Sequence, residues 1–147
     1  MPDVHLDITV EAPIERVWNT ILDVERYPES METVRYVRVV KELGDSSRRV
    51  AWSVLLKGSI LEWEEQEEID PIARRVVFKQ LQGDLEHFDG DWSLEDLGSE
   101  RTKVLFKVSF EIGIPMLAEM LNPVAQRSLR ENSIEMLRGI ERASAVG

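Results

Sequence analysis

Apolar and polar side chains alternate through seven segments of the chain, and this alternation is the main guide to the fold. In the first segment, Val4, Leu6 and Ile8 alternate with more polar neighbours. A period of two is typical of strands with one buried face. Short polar turns such as Gly44–Asp45–Ser46 separate the segments, which indicates an antiparallel sheet of about seven strands. The predicted strands are Val4–Glu11, Val34–Leu43, Arg49–Lys57, Ile60–Ile69, Arg74–Gln82, Glu86–Leu94 and Thr102–Glu111.

Two segments have helical spacing instead. The first, Pro13–Asp23, repeats apolar residues every three or four positions, and proline suits the first turn of a helix. The second, Met116–Ala143, is long and rich in apolar residues. The chain is therefore predicted to be an α+β protein whose bent sheet wraps around a long C-terminal helix. Such an arrangement encloses a cavity more readily than a solid core, which suggests a container for an apolar small molecule.

Composition narrows the class of protein. The 147 residues fit a single domain spanning 1–147, and 43% hydrophobic with 31% charged residues is ordinary for a globular protein. The net charge of −10 disfavours contact with nucleic acid or anionic lipid. No apolar run reaches the roughly 20 residues of a membrane span. The N-terminus has no signal-peptide pattern and the chain has no cysteine, so a cytoplasmic location is expected.

Metal and nucleotide chemistry have little basis in the sequence. His5 and His87 are the only histidines, they lie in different predicted strands, and there is no cysteine to join them as a ligand. No phosphate-binding glycine loop or dinucleotide fingerprint is present. We therefore predict no metal and no cofactor.

The most unusual segment is the strand around Trp63, which carries five glutamates. Alternation places Glu65 and Glu67 on the same face as Trp63, directed towards the cavity. A carboxyl group in an apolar pocket has a raised pKa and can transfer protons, so Glu65, Glu67 and Tyr36 are the candidate catalytic residues. Alternatively, the two acids lie at the cavity mouth or pair with Arg74, Arg75 or Lys79. We expect Glu67 to be the paired acid and Glu65 to be nearer the cavity.

Aromatic and apolar residues on the inward faces are the candidate ligand contacts, because aromatic walls suit flat apolar ligands. Taken singly, each is more often a core residue. Asn132 lies on the buried stripe of the last helix and must find a hydrogen bond, from a ligand or from the sheet backbone. Trp92, behind Gly90, is interpreted as structural. The predicted ligand-binding residues are Tyr27, Met31, Tyr36, Trp52, Val54, Leu61, Trp63, Phe78, Phe88, Phe106, Val108, Leu121 and Asn132.

Several motifs together resemble the START-related, helix-grip superfamily (SRPBCC), which includes polyketide cyclases/aromatases and coenzyme-Q-binding proteins. The resemblance covers nearly the whole chain and implies a helix-grip fold. It rests on the opening Ala12–Trp18, Asp23–Pro28, Trp63, Gly83–Trp92 and the long last helix with Arg130-Glu131-Asn132.

Two branches of that superfamily resemble the chain in different places. Aromatase/cyclases share the Ala12–Trp18 opening, a tryptophan matching Trp63 and an Arg-x-Asn like Arg130–Asn132. Their proposed catalytic arginine, four residues after that tryptophan, corresponds here to Glu67, so the charge is reversed. The segment Phe110–Leu117 is more similar to coenzyme-Q-binding and cyclase/dehydrase-like members, most of which are considered carriers.

Three functions are compatible with these observations. The first is binding of a hydrophobic small molecule, such as a polyketide, a prenylquinone or another lipid, in an internal cavity. The second is a polyketide cyclase, aromatase or dehydratase acting on a poly-β-ketone, with an acyl carrier protein as a possible partner. The third is a regulatory protein-interaction module of the ribosome-associated toxin-like type. A homodimer is also possible.

Overall fold

The computed structural model, which describes residues 3–56, 59–111 and 115–146, is a seven-stranded antiparallel sheet with a long C-terminal helix. It confirms the predicted α+β helix-grip fold. A helix, α1, and a short 3₁₀ helix follow the first strand, and α2 ends the chain. The elements are β1 (Asp3–Val10), α1 (Ile14–Leu22), the 3₁₀ helix (Val24–Glu29), β2 (Val34–Glu42), β3 (Ser47–Leu56), β4 (Ser59–Asp70), β5 (Arg75–Gly83), β6 (His87–Gly98), β7 (Arg101–Glu111) and α2 (Pro115–Val146).

The sheet is open, with β1 and β2 at its two edges. The strand order is β1-β7-β6-β5-β4-β3-β2, so every strand from β2 to β7 lies beside its neighbour in sequence. The chain leaves β1 at one edge and enters β2 at the other. The helical segment between them, α1 with the 3₁₀ helix, therefore crosses from one edge of the sheet to the other.

The first helix owes its position to one apolar face. Val17, Trp18 and Ile21 are buried on that face, and Pro13 precedes the first turn in an extended conformation. The helix ends where the Asp23 N–H bonds to the carbonyl of Asn19. The buried Tyr27 hydroxyl then donates to the Ile21 carbonyl, which holds the 3₁₀ helix against α1.

The C-terminal half of α2 packs closely against the segment before β2. Leu137 and Ile140 are buried. A Cβ atom on Gly139 would lie 2.6 Å from Met31 Cγ, so glycine is what permits this close approach. Arg142 adds a hydrogen bond of 2.6 Å to the Ser30 carbonyl. None of the helices in the described ranges is both long and apolar enough to span a membrane.

Two details differ from the sequence predictions. A β-bulge in β2 shifts the register between Val34 and Tyr36, so Val34 and Val37 are the buried residues and Tyr36 faces outwards. Tyr36 had been predicted to be a ligand contact on an inward face. In addition, β6 was predicted to end at Leu94 but continues to Gly98, and only two residues, both with positive φ, form the turn before β7.

Candidate functional site

A small cavity lies between the sheet and α2. Its volume is about 30 Å³, which is room for one or two water molecules. The sheet contributes mostly aromatic side chains, and α2 contributes an amide, a hydroxyl and a thioether. The lining residues are Trp52, Trp63, Glu65, Phe78, Phe88, Trp92, Phe106, Asn132, Ser133 and Met136.

The aromatic lining is a continuous wall in which rings from β3, β4, β5 and β6 touch. The indoles of Trp52 and Trp63 are stacked, with centroids 5.5 Å apart and planes 6° apart. Trp63 meets Phe88 edge to face at 5.0 Å. Phe78 contacts Phe88 at 5.7 Å. Such a surface matches the faces of flat apolar rings.

Two glycines make room for this wall. A Cβ atom on Gly90 would lie 1.9 Å from the carbonyl oxygen of Lys107 and 2.9 Å from Phe78 Cζ. A Cβ atom on Gly83 would lie 2.3 Å from Trp63 Cβ. Any other residue at either position would displace the strands or the rings.

A buried cluster of charged and acidic groups adjoins the aromatic wall. Glu65 and Glu67 are 3% and 4% exposed, and both lie on the inner face of β4. Arg48 stands opposite Glu67 in the β3–β4 register, and its Nε is 2.8 Å from Glu67 Oε1. Trp63 donates its indole N–H to Glu65 Oε1 at 2.8 Å. Glu67 is thus paired with a cation, whereas Glu65 has neutral donors and lines the cavity.

The environment of Glu65 raises its pKa well above the ordinary value for a carboxyl group. Burial is the largest cause, and the neighbouring Glu67 acts in the same direction by repulsion and hydrogen bonding. The indoles of Trp63 and Trp52 oppose the shift. Burial, and then Glu67, also raise the pKa of the Tyr27 hydroxyl. Glu65 therefore keeps its proton to a higher pH than an exposed glutamate.

The basic partners expected for the two acids were wrong. Arg74 pairs with Glu15, and Arg75 pairs with Asp91 at 2.8 Å. Lys79 is exposed, because it follows Phe78 in β5 and therefore points to the opposite face. The cation that reaches Glu67 comes from β3, on the other side of β4.

Two polar groups of the lining lack a partner among the described residues. Asn132 is 6% exposed, and its Nδ2 donates to Met136 Sδ at 3.6 Å, while its Oδ1 has no hydrogen bond. The Trp52 indole N–H is also buried without one. This N–H lies near Glu65 and favours the ionised form of the Glu65 carboxyl group, but the contact falls short of hydrogen-bond geometry. Asn132 thus makes no bond to the sheet backbone in the described part of the chain.

The structure places only some of the predicted ligand-binding residues at the cavity. Tyr27, Met31, Val54 and Val108 are buried in the surrounding core, Leu61 is half-buried, and the side chain of Leu121 lies outside the described residues. Tyr36 lies on the outer face, where its hydroxyl donates to Glu62 Oε2 at 2.8 Å; this hydrogen bond raises its pKa. The structure does not bring Tyr36 to the cavity. The predicted residues that line it are Trp52, Trp63, Phe78, Phe88, Phe106 and Asn132.

Sequence reasoning missed four residues of the site. Trp92 lines the cavity and packs on Phe106, with ring centroids 4.5 Å apart. Trp92 lies an even number of residues from Phe88 along β6, so alternation places both on the same face, and this was a usable signal. Met136 lies four residues after Asn132 on the same buried stripe of the last helix, which was also a usable signal. Ser133 on α2 and Arg48 on β3 had no comparable signal, since their roles depend on which helix face and which register the fold adopts.

A second, larger cleft lies near the outer surface and has a volume of about 410 Å³. Tyr27 forms part of its wall and meets Trp52 of the inner cavity edge to face, with centroids 5.6 Å apart. The Tyr27 ring therefore lies between the cleft and Trp52 of the inner cavity. The cleft is lined by Thr20, Asp23, Arg26, Tyr27, Glu29, Ser30, Arg142 and Ala143.

The fold and this interior define a START-like helix-grip protein. The chain belongs to the polyketide cyclase/dehydrase and lipid transport family, which it matches over residues 10–137.

Two curated relatives are bifunctional cyclase/dehydratases of polyketide synthases. The granaticin protein of Streptomyces violaceoruber is 28% identical over 116 residues, which cover 76% of this chain and 36% of the relative. The actinorhodin protein of Streptomyces coelicolor is 26% identical over 127 residues, with 83% and 40% covered. The chain thus spans less than half the length of these relatives.

Solved structures share the fold over nearly the full chain. A protein from Thermus thermophilus has a TM-score of 0.92 and 28% identity, with 99% of this chain and 98% of that chain covered. The Zhui aromatase/cyclase from a Streptomyces species has a TM-score of 0.85 and 23% identity, with 98% and 93% covered. A START superfamily protein from Mycobacterium smegmatis has a TM-score of 0.83 and 17% identity, with 99% of both chains covered. The last two likenesses concern the fold alone.

Proposed function

We propose that the chain binds a hydrophobic small molecule between the concave face of the sheet and α2. The observation that carries this proposal is the aromatic wall, in which stacked and edge-to-face rings from several strands surround an interior space. A ligand there would gain affinity mainly from buried apolar surface, at roughly 25 cal/mol per Å² before the costs of association. Membership of a family described as cyclases, dehydrases and lipid transporters supports the same function.

Binding requires the interior to expand. The cavity holds about 30 Å³, whereas sites for drug-sized ligands measure about 300–1,000 Å³. Met136 forms part of the wall, and an unbranched thioether adapts readily to a new shape. The Tyr27 ring lies between the outer cleft and Trp52 of the inner cavity. We propose that a ligand enters through this cleft and displaces Tyr27 and Met136.

Tryptophan fluorescence tests the proposal directly. Trp52, Trp63 and Trp92 line the cavity, whereas Trp18 is buried elsewhere, beneath Arg74. Naphthoquinone should quench the wild-type emission saturably. The quenched fraction should rise in Trp18→Phe, which removes an uninvolved emitter, and fall in Trp63→Phe. The absence of a saturable change with a dozen flat apolar compounds would refute ligand binding.

A second candidate function is cyclisation or dehydration of a poly-β-ketone. The observation that favours it is Glu65, a buried carboxyl group on the cavity wall that holds its proton to an elevated pH. A protonated acid can donate to a carbonyl oxygen or to a departing hydroxyl group. The bifunctional cyclase/dehydratases among the relatives support this chemistry. An acyl carrier protein would then be the partner that delivers the substrate.

Mass spectrometry distinguishes an enzymatic function from a carrier function. A poly-β-ketone thioester long enough to close a six-membered ring should form a carbon–carbon bond by aldol addition, and the resulting hydroxyl group should leave with a proton of the neighbouring carbon as one water. Glu65→Gln should abolish this loss of water while keeping naphthoquinone binding. Binding without any mass change in the wild type would favour a carrier.

The assembly and the location stay predictions. The geometry of the site does not bear on four of the predictions: a homodimer, a single domain over residues 1–147, a cytoplasmic location and the regulatory alternative. Analytical ultracentrifugation of the purified chain tests for the homodimer, and limited proteolysis tests for the single domain.

A further inference from the structure

The two polar groups of the cavity lining that lack a hydrogen-bond partner have opposite hydrogen-bonding roles. The carbonyl oxygen of Asn132 is a hydrogen-bond acceptor, and the indole N–H of Trp52 is a donor. Both belong to side chains at least nine-tenths buried that line the same cavity. A buried polar group without a hydrogen bond is destabilising, so a ligand that satisfies both groups binds more tightly than one that satisfies neither.

Both acids of the interior and the amide nitrogen of Asn132 each already take part in a hydrogen bond. Glu65 accepts from Trp63, and Glu67 accepts from Arg48. The amide nitrogen of Asn132 is directed at the Met136 sulfur. Among the fully buried polar side-chain atoms of the described lining, those without any hydrogen bond are therefore one acceptor and one donor.

We propose that the preferred ligand is a neutral, planar apolar molecule with a hydroxyl group, which donates to Asn132 Oδ1 and accepts from the Trp52 N–H. This inference rests on the proposed function and narrows the class of ligand. A hydroxyl is the smallest group that provides one donor and one acceptor. A ketone oxygen satisfies only the indole, and a hydrocarbon satisfies neither. A carboxylate or phenolate is disfavoured, because the interior already holds the two acids Glu65 and Glu67.

Calorimetric titration with three aromatic probes of similar size tests the proposal: naphthol, acetylnaphthalene and naphthalene. Wild-type protein should bind naphthol about tenfold more tightly than naphthalene, which corresponds to about 1.4 kcal/mol, and acetylnaphthalene should lie between them. Asn132→Leu should remove most of the preference for naphthol without weakening naphthalene binding. Trp52→Phe should act in the same direction. Met136→Leu, which alters the lining but neither polar group, should keep the full preference.

The possible outcomes separate the two proposals. If none of the probes binds, both the proposed function and this inference are refuted. If all bind with equal affinity, hydrophobic binding stands and the hydroxyl preference is refuted. If acetylnaphthalene binds most tightly, the Asn132 amide presents its nitrogen to the ligand, and the assignment of a hydroxyl is overturned. Asn132→Leu and Trp52→Phe each remove one of the two hydrogen-bonding groups. The test therefore needs only one of these two variants to fold.

Discussion

Arg48 and Glu67 face each other across β3 and β4 and form an ion pair that is almost closed to solvent. Their Nε and Oε1 atoms lie 2.8 Å apart, and the side chains are 10% and 5% exposed. Glu67 occupies the position at which the resemblance to aromatase/cyclases implies a catalytic arginine. In this chain the arginine comes from the neighbouring strand and is neutralised by the glutamate.

Removing one member of this pair should be far more harmful than replacing both. Arg48→Ala leaves a buried carboxylate without a cation and should lower the free energy of unfolding by about 3–5 kcal/mol. The double variant Arg48→Met/Glu67→Leu should remain near the stability of the wild type, since apolar residues of similar volume can replace a buried pair. Urea denaturation of the three proteins measures both effects. Equal losses in the single and double variants would contradict this account of the pair.

The raised pKa of Glu65 predicts a specific dependence of stability on pH. Because the folded state holds this proton more tightly than the unfolded state, the contribution of Glu65 is complete below its unfolded pKa. It is lost progressively as pH rises through the folded pKa. Glu65→Gln cannot ionise and should flatten that decline. Melting temperatures from about pH 4 to pH 8 measure the difference.

The control for this titration is Glu95→Gln, because Glu95 is exposed on β6 and does not line the cavity. Its pH profile should follow the wild type. A Glu65→Gln profile that also follows the wild type would mean that Glu65 does not hold a proton in the folded protein at elevated pH, and would remove it from any proton-transfer mechanism.

Alternation of side chains was sufficient to predict much of the interior. Trp52, Trp63 and Phe78 face inwards as a period of two requires, and no long-range information is needed to place them on that face. The same rule failed at Tyr36, because a bulge inserts an extra residue and reverses the face of the residues after it.

Partners across strands were harder to predict. Alternation fixes which face a residue occupies, but sliding one strand by two residues preserves every face and changes every partner. The pairing of Glu67 with Arg48 depends on the actual register of the β3–β4 hairpin. The role of Met136 similarly depends on how α2 is rotated against the sheet. Both are consequences of tertiary packing.

Shortening Met136 should make the interior more accessible at a cost in stability. Met136→Ala removes part of the cavity wall and should lower the free energy of unfolding by about 2–5 kcal/mol, while increasing the affinity for naphthoquinone. Leu137→Ala is the matched control, because Leu137 is equally buried on α2 but does not line the cavity. It should lose stability without a gain in affinity. Equal changes in affinity would place the ligand elsewhere.

Gly90 should be the least replaceable glycine of the sheet, because its Cβ atom would lie 1.9 Å from the Lys107 carbonyl oxygen, well inside contact distance. Backbone cannot yield as a flexible side chain does, so Gly90→Ala must separate β6 from β7 and push the Phe78 ring away from the aromatic wall. We expect Gly90→Ala to lower the free energy of unfolding by about 3 kcal/mol in urea denaturation, together with weaker naphthoquinone binding.

Gly98→Asn is the control for this prediction. Gly98 has φ of 78° and open space around it, and asparagine tolerates that conformation. This substitution should therefore cost under about 1 kcal/mol. Comparable unfolding midpoints for the two variants would show that the close contact at Gly90 is relieved by a small strand shift, and that the wall does not depend on it.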